Sequence, residues 1–331
     1  MEFQSQRPKT SAAAKVSKSL LLCLGWVVLA EQSVMAPAAT TDSHPPGAPI
    51  QALPIHVNAD LVLVGVTVVD SFGRIITGLK KNNFKVYDER VCQEIATFSA
   101  EDVPASVGIV FDSSASMTNT IERSKDAAYQ FFKTSNPEDE FMLIDFNDSP
   151  HLLSGFTSQV EALEVVLPTL AARGRTALLD AIYLGLNGMK GARSNRKALV
   201  VISDGFDNRS RYTEKEVENA VKESDTQVYA IAILGPTMFR WLPGEKSGPA
   251  MLARLANLSG GNMFPAANAA ELPAIAQKIS LALRNQYVIG YRPSNLVRDG
   301  RWRHINLELV GLQNPSDLRV YNRSGYYAPG Q

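Results

Sequence analysis

The chain has 331 residues, 45% of them hydrophobic and 20% charged, with 33 basic and 33 acidic side chains in balance. That length suits about two domains of ordinary globular composition. The charge balance and the lack of any long basic run argue against a nucleic-acid partner.

The N-terminus reads as an export signal. Arg7, Lys9, Lys15 and Lys18 precede the apolar run Leu20–Ala30, and small-residue cleavage sites lie at its end, Val28–Ala30, and beyond it at Ala36–Ala38. Leu20–Ala30 would rise only about 16 Å as a helix, short of the roughly 30 Å of bilayer hydrocarbon. The protein is therefore expected to be exported, to the periplasm, the cell envelope or the medium. Membrane contact is expected only through an uncleaved signal. Of the two cysteines, Cys23 lies inside the signal, so cleavage would leave Cys92 alone and allow no internal disulfide.

The expected organisation is a signal region at 1–38, an Ala/Pro/Thr/Gly-rich linker at 39–54 and an N-terminal β segment at 55–102. In that segment "DLVLVGVTVVD" is β-branched, and "FKVYDERVCQEIATF" reads as two short strands around a turn at Asp88–Arg90. From 103 to 284 apolar runs at Val107–Asp112, Phe141–Phe146, Lys197–Ser203 and Gln227–Leu234 alternate with helical spacing. The helical stretches are Ile121–Lys133, Thr176–Lys190, Thr213–Ser224 and Leu272–Leu283. Near-continuous apolar strands separated by helices predict a doubly wound, mostly parallel α/β sheet. Residues 285–331 return to strands, and neither flanking β piece is large, so the two are expected to pack together as one small β domain. Within the last piece, Arg292–Arg303 reads as a solvated loop and "RWRHINLELV" as an edge strand.

Ligands of open parallel sheets bind beyond the carboxyl ends of the strands. Three segments should deliver small oxygen groups there: Asp112, Ser114 and Ser116 in "FDSSASM", Thr176 in "RTALLDAI", and Asp204 in "VVISDGFDN". Taken singly, Ser114, Ser116 and Thr176 suit helix N-caps and Asp204-Gly205 suits a turn. Taken together, they make a hard-oxygen donor set for Mg²⁺, with Mn²⁺ or Ca²⁺ as substitutes. Two carboxylates and three neutral hydroxyls do not saturate such an ion, so a position stays open for an acidic ligand. Asp145, Asp148 and Asp207 also fall near strand ends, where capping or solvation explains them as well as a place on the rim does.

The set resembles the metal-ion-dependent adhesion site of von Willebrand factor type A domains, whose form is Asp-x-Ser-x-Ser, a distant Thr and a distant Asp. The resemblance implies a divalent cation bound directly by the hydroxyls of Ser114, Ser116 and Thr176, and mainly through water by Asp112 and Asp204. Ala115 stands where glycine is common. Arg175 stands where a small residue often precedes the threonine. The stretches "VTVVDSFGRIITGLKKNNFKVYDE", "NQYVIGYRP" and "SGYYAP" extend the resemblance, over about residues 55–328, to exported bacterial proteins of an Acidobacteria-type subgroup. The resemblance does not supply what these proteins bind; the open position on the ion leads us to expect non-catalytic binding of a protein partner through its Asp or Glu. The rival readings are a metal-dependent hydrolase and an envelope domain that the ion merely braces.

Other chemistries lack their residues. The four histidines, His44, His56, His151 and His304, form no zinc spacing. Neither a phosphate-binding Gly-x-x-x-x-Gly-Lys-Ser/Thr loop nor a Gly-x-Ser-x-Gly nucleophile elbow is present. Asp112 is followed two residues later by Ser114 and not by the second acid a phosphatase would favour.

Overall fold

The computed structural model describes residues 61–234 and 248–330. These belong to one compact unit, Val57–Gln331. The signal and linker expected at 1–38 and 39–54 lie outside the described residues. Among the described residues no helix is long and apolar enough to cross a membrane.

The chain opens with β1 (Val62–Asp70), β2 (Phe84–Asp88), β3 (Val91–Gln93) and β4 (Ile95–Ser99). The α/β region then runs β5 (Ala105–Asp112), α1 (Ile121–Thr134), β6 (Glu140–Phe146), β7 (Pro150–Thr157), α2 (Val160–Val166) and α3 (Leu178–Gly188). It continues through β8 (Arg196–Ser203), α4 (Glu214–Glu223), β9 (Gln227–Ile233), α5 (Gly248–Ser259), β10 (Met263–Ala266) and α6 (Leu272–Arg284). The last strands are β11 (Tyr287–Tyr291), β12 (Trp302–Leu309), β13 (Leu318–Asn322) and β14 (Gly325–Tyr327).

The central sheet has the order β10-β9-β8-β5-β6-β7 and is parallel except for β7. Every residue of β5 is buried, because helices cover both faces. Ile109 and Phe111 pack with α1, α2 and α6. Val110 points the other way, into the layer of α3, α4 and α5. This is the doubly wound sheet that the unbroken apolar runs predict. β7, β10, α2 and α5 are absent from the sequence reading. β7 is a bulged edge strand, half exposed and begun by Pro150, so it carries no apolar run; proline is tolerated there because an edge leaves N–H positions unpaired.

The flanking segments pair with each other. β1 lies between β11 and β13, and β4 pairs with β11. A second antiparallel sheet has the order β14-β12-β2-β3. Val64, Val66, Tyr287 and Ile289 of the first sheet share one core with Phe84, Val86, Ile305 and Leu307 of the second. The turn between β2 and β3 places Glu89 and Arg90 at φ 47° and 71°, the left-handed pair that a two-residue hairpin demands. Two expectations fail here. The tail of "FKVYDERVCQEIATF" leaves the hairpin as β4 and joins the other sheet. β12 is an interior strand, flanked by β14 and β2, and its Arg303 is buried, donating to the carbonyls of Asn295 and Val297.

The two β sheets meet the α/β region at the amino ends of its strands. Arg196, at the start of β8, donates to the carbonyls of Glu101, Val103 and Leu283. Gln286, just before β11, bonds Gln227 and Tyr229 of β9. The carboxyl edge of the parallel sheet is thus opposite to this junction.

Candidate metal centre at the carboxyl edge of the sheet

Asp112 ends β5 and is fully buried. Its Oδ1 accepts the Ser114 N–H at 2.8 Å, and its Oδ2 accepts the Ser203 hydroxyl at 2.6 Å. Ser203 Oγ in turn accepts the Gly205 N–H at 2.9 Å, which ties the end of β5 to the end of β8. Burial, offset in part by hydrogen bonds from Ser114 and Ser203 and reinforced by the negative charge of Asp204, pushes the Asp112 carboxyl up to about 6. Two carboxylates therefore sit close together, and among the described residues neither forms an ion pair with a Lys, Arg or His.

The hydroxyls are not used as caps. Ser114 precedes the short 3-10 helix Ala115–Asn119 but makes no side-chain capping bond; its Oγ lies 3.0 Å from that of Ser116. Thr176 does not begin a helix, as the sequence suggests. α3 starts at Leu178, and its N-cap residue Ala177 makes no side-chain capping bond. The free N–H groups of its first turn are satisfied from the Asp204 loop: Leu179 N donates to Asp207 Oδ2 at 2.9 Å, and Asp180 N to Ser210 Oγ at 3.0 Å.

Loop 173–176 is clasped on both sides. Arg173 N donates to Ser113 O at 2.8 Å, and Ala115 N donates to Gly174 O at 3.2 Å. On the far side Thr176 N donates to Asn208 Oδ1 at 3.0 Å, while Asn208 N and Arg209 N both donate to Thr176 O. The structure thereby gathers the segments of Asp112, Ser114 and Ser116, of Thr176, and of Asp204 at one edge. Gly205 has φ 85°, and a Cβ there would meet Pro249 at the start of α5, so glycine is required for the turn that presents Asp204.

Of the three further acids, Asp207 serves α3 and Asp148 Oδ1 accepts the Arg175 N–H at 3.1 Å. Asp145 is buried with Oδ1 unpartnered, and burial raises its pKa. Ser203 ends a strand in the sequence reading but is not among its five site residues. Its signal is a small hydroxyl directly before Asp204 at a strand end.

Among the described residues no three His, Cys, Asp or Glu side chains cluster as a metal site. The donor set here is of another kind, two carboxylates and three hydroxyls. Its all-oxygen chemistry and its pair of acids, without an ion-pair partner among the described residues, fit a hard divalent cation.

Residues 107–206 match the family model of the von Willebrand factor type A domain, a stretch that contains Asp112, Ser114, Ser116, Thr176 and Asp204. The chain thus carries a von Willebrand factor type A domain. Similar solved structures include BatB from Bacteroides thetaiotaomicron, at 19% identity and TM-score 0.43, covering 54% of this chain and 98% of that one. A von Willebrand factor type A protein from Catenulispora acidiphila is 13% identical with TM-score 0.48, covering 83% of this chain and 75% of that one. No curated protein matches the chain.

Proposed function

We propose that this protein is a non-catalytic binding module whose site comprises Asp112, Ser114, Ser116, Thr176 and Asp204. A von Willebrand factor type A domain supports a role in protein interaction or adhesion. When bound by these residues, Mg²⁺ or a similar ion would keep an open position for the Asp or Glu carboxylate of a protein partner. Ser203 and the Ser114 N–H fix the Asp112 carboxylate in orientation. The clasp on loop 173–176 fixes the Thr176 backbone without using its hydroxyl. The observation that carries this reading is the buried Asp112 beside Asp204, neither of them in an ion pair among the described residues, with hydroxyls excused from capping. Export belongs to the same proposal and rests on the basic and apolar pattern of Arg7–Ala38.

Acetate is a minimal carboxylate partner. Added to the protein in Mg²⁺, it should shift the amide resonances of Ser113–Ser116, Thr176 and Asp204–Phe206, and it should leave them unmoved in EDTA. Shifts that persist in EDTA, or that fall elsewhere, would overturn the proposal.

A further inference from the structure

The rim of this edge is basic in a way the five site residues do not require. Arg173 and Arg175 bracket the clasped loop, and Arg209 lies on the strand of chain that clasps it. All three side chains are exposed. Each is tied into the site by its backbone N–H alone: Arg173 to Ser113 O, Arg175 to Asp148 Oδ1 and Arg209 to Thr176 O. Among the described residues none of the three takes part in an ion pair, whereas Arg211, two residues beyond Arg209, is held 3.3 Å from Asp180. The nearby acids do not cancel this charge outright. Asp207 is engaged by Leu179 N and by Ser210, and Asp145 is buried, where Arg173 acts on it only through its field. Asp148 is exposed and offsets Arg175 in part. In the same loop as Arg209, Phe206, two residues after Asp204, is 47% exposed.

Resting on the binding reading above, we infer that the partner is a peptide segment with several acidic residues in a row. One carboxylate addresses the metal site, its neighbours pair with Arg175 and Arg209, and an adjoining apolar side chain covers Phe206. In an extended peptide, residues one and two places away lie within about 7 Å, a reach that long arginine side chains span. Arginine suits this task because its planar fork takes carboxylates in pairs. The metal site alone would accept any carboxylate; the arginine rim supplies the preference for a cluster of them.

The test compares two synthetic peptides in Mg²⁺, one with a single Asp in a Gly/Ser context and one with three consecutive Asp residues, followed by amide shifts so that weak binding is measured. Two exposed pairs of ordinary strength predict about a tenfold preference for the triple-Asp peptide. That preference should shrink with salt and fall toward unity in the double variant Arg175→Ala/Arg209→Ala. The variant removes only exposed side chains and keeps both backbone bonds. Equal affinity of the two peptides for the wild type, with both lost in EDTA, would overturn the inference and leave the metal-site reading standing. Binding of either peptide that is indifferent to EDTA, or no binding at all, would overturn both. Binding of a thymidine oligonucleotide as tightly as the triple-Asp peptide would overturn the assignment to a peptide.

Discussion

The Ser203 hydroxyl donates to Asp112 Oδ2 at 2.6 Å, joining the ends of two adjacent parallel strands at the point where the site begins. Ser203→Ala removes a hydrogen bond to a charged, buried acceptor. We predict a loss of about 1.5–3 kcal/mol in stability and a drop of about tenfold or more in Mg²⁺ affinity, as for other groups that orient metal ligands. Urea denaturation and Mg²⁺ titration of the variant would check both. A variant with unchanged affinity would show that Asp112 needs no such support.

Asp112 has a raised pKa, about 6 against 3.8 for the free side chain. The sign follows from linkage: the folded state binds the proton more tightly than the unfolded state. In chelator, the stability attached to this group is fully present below pH about 4 and is lost as pH rises through about 6, a difference of about 3 kcal/mol. Asp112→Asn should flatten that portion of the pH profile and be the more stable protein at neutral pH without metal. Parallel pH profiles for the variant and the wild type would contradict this.

Gly205 adopts φ 85° with Pro249 against the position a Cβ would take. Gly205→Ala is predicted to cost about 1–3 kcal/mol and to weaken Mg²⁺ binding through displacement of Asp204. Thermal denaturation with and without Mg²⁺ would separate the two effects.

Asp88, buried between the two β sheets, accepts the hydroxyls of Tyr291 at 3.1 Å and Tyr326 at 2.8 Å. Tyr326→Phe should cost about 1–2 kcal/mol and leave Mg²⁺ affinity unchanged, because these sheets adjoin the opposite edge of the α/β region. A change in Mg²⁺ affinity would reveal coupling across the domain.

Much of this architecture was legible in the sequence because burial on both faces writes a strand as an unbroken apolar run, as in Val107–Asp112. Of the elements that escaped, β7, β10 and the short α2 lie at edges or are half exposed, where side chains answer to solvent on one side; α5 escaped although its buried Met251, Leu252, Leu255 and Ala256 carry helical spacing. The sequence misplaces Thr176 for a different reason. A threonine before an apolar helix ordinarily caps it, and only the fold shows that Asp207 and Ser210 from a distant loop perform that task. The interior place of β12 was hidden likewise, since its alternation reports one wet face and says nothing about neighbours in the plane of the sheet.

The most direct measurement is calorimetric titration of Mg²⁺ into the chelator-stripped protein, beside Asp112→Ala and Thr176→Ala. Thr176→Ala keeps the backbone bonds to Asn208 and Arg209, so its fold should persist. The account predicts saturable binding of about one ion per chain by the wild type, lost in both variants while their circular dichroism stays native. A folded wild type that binds no Mg²⁺, or a Thr176→Ala protein that binds it as well as the wild type, would contradict the metal site and return these hydroxyls to ordinary polar groups at a sheet edge.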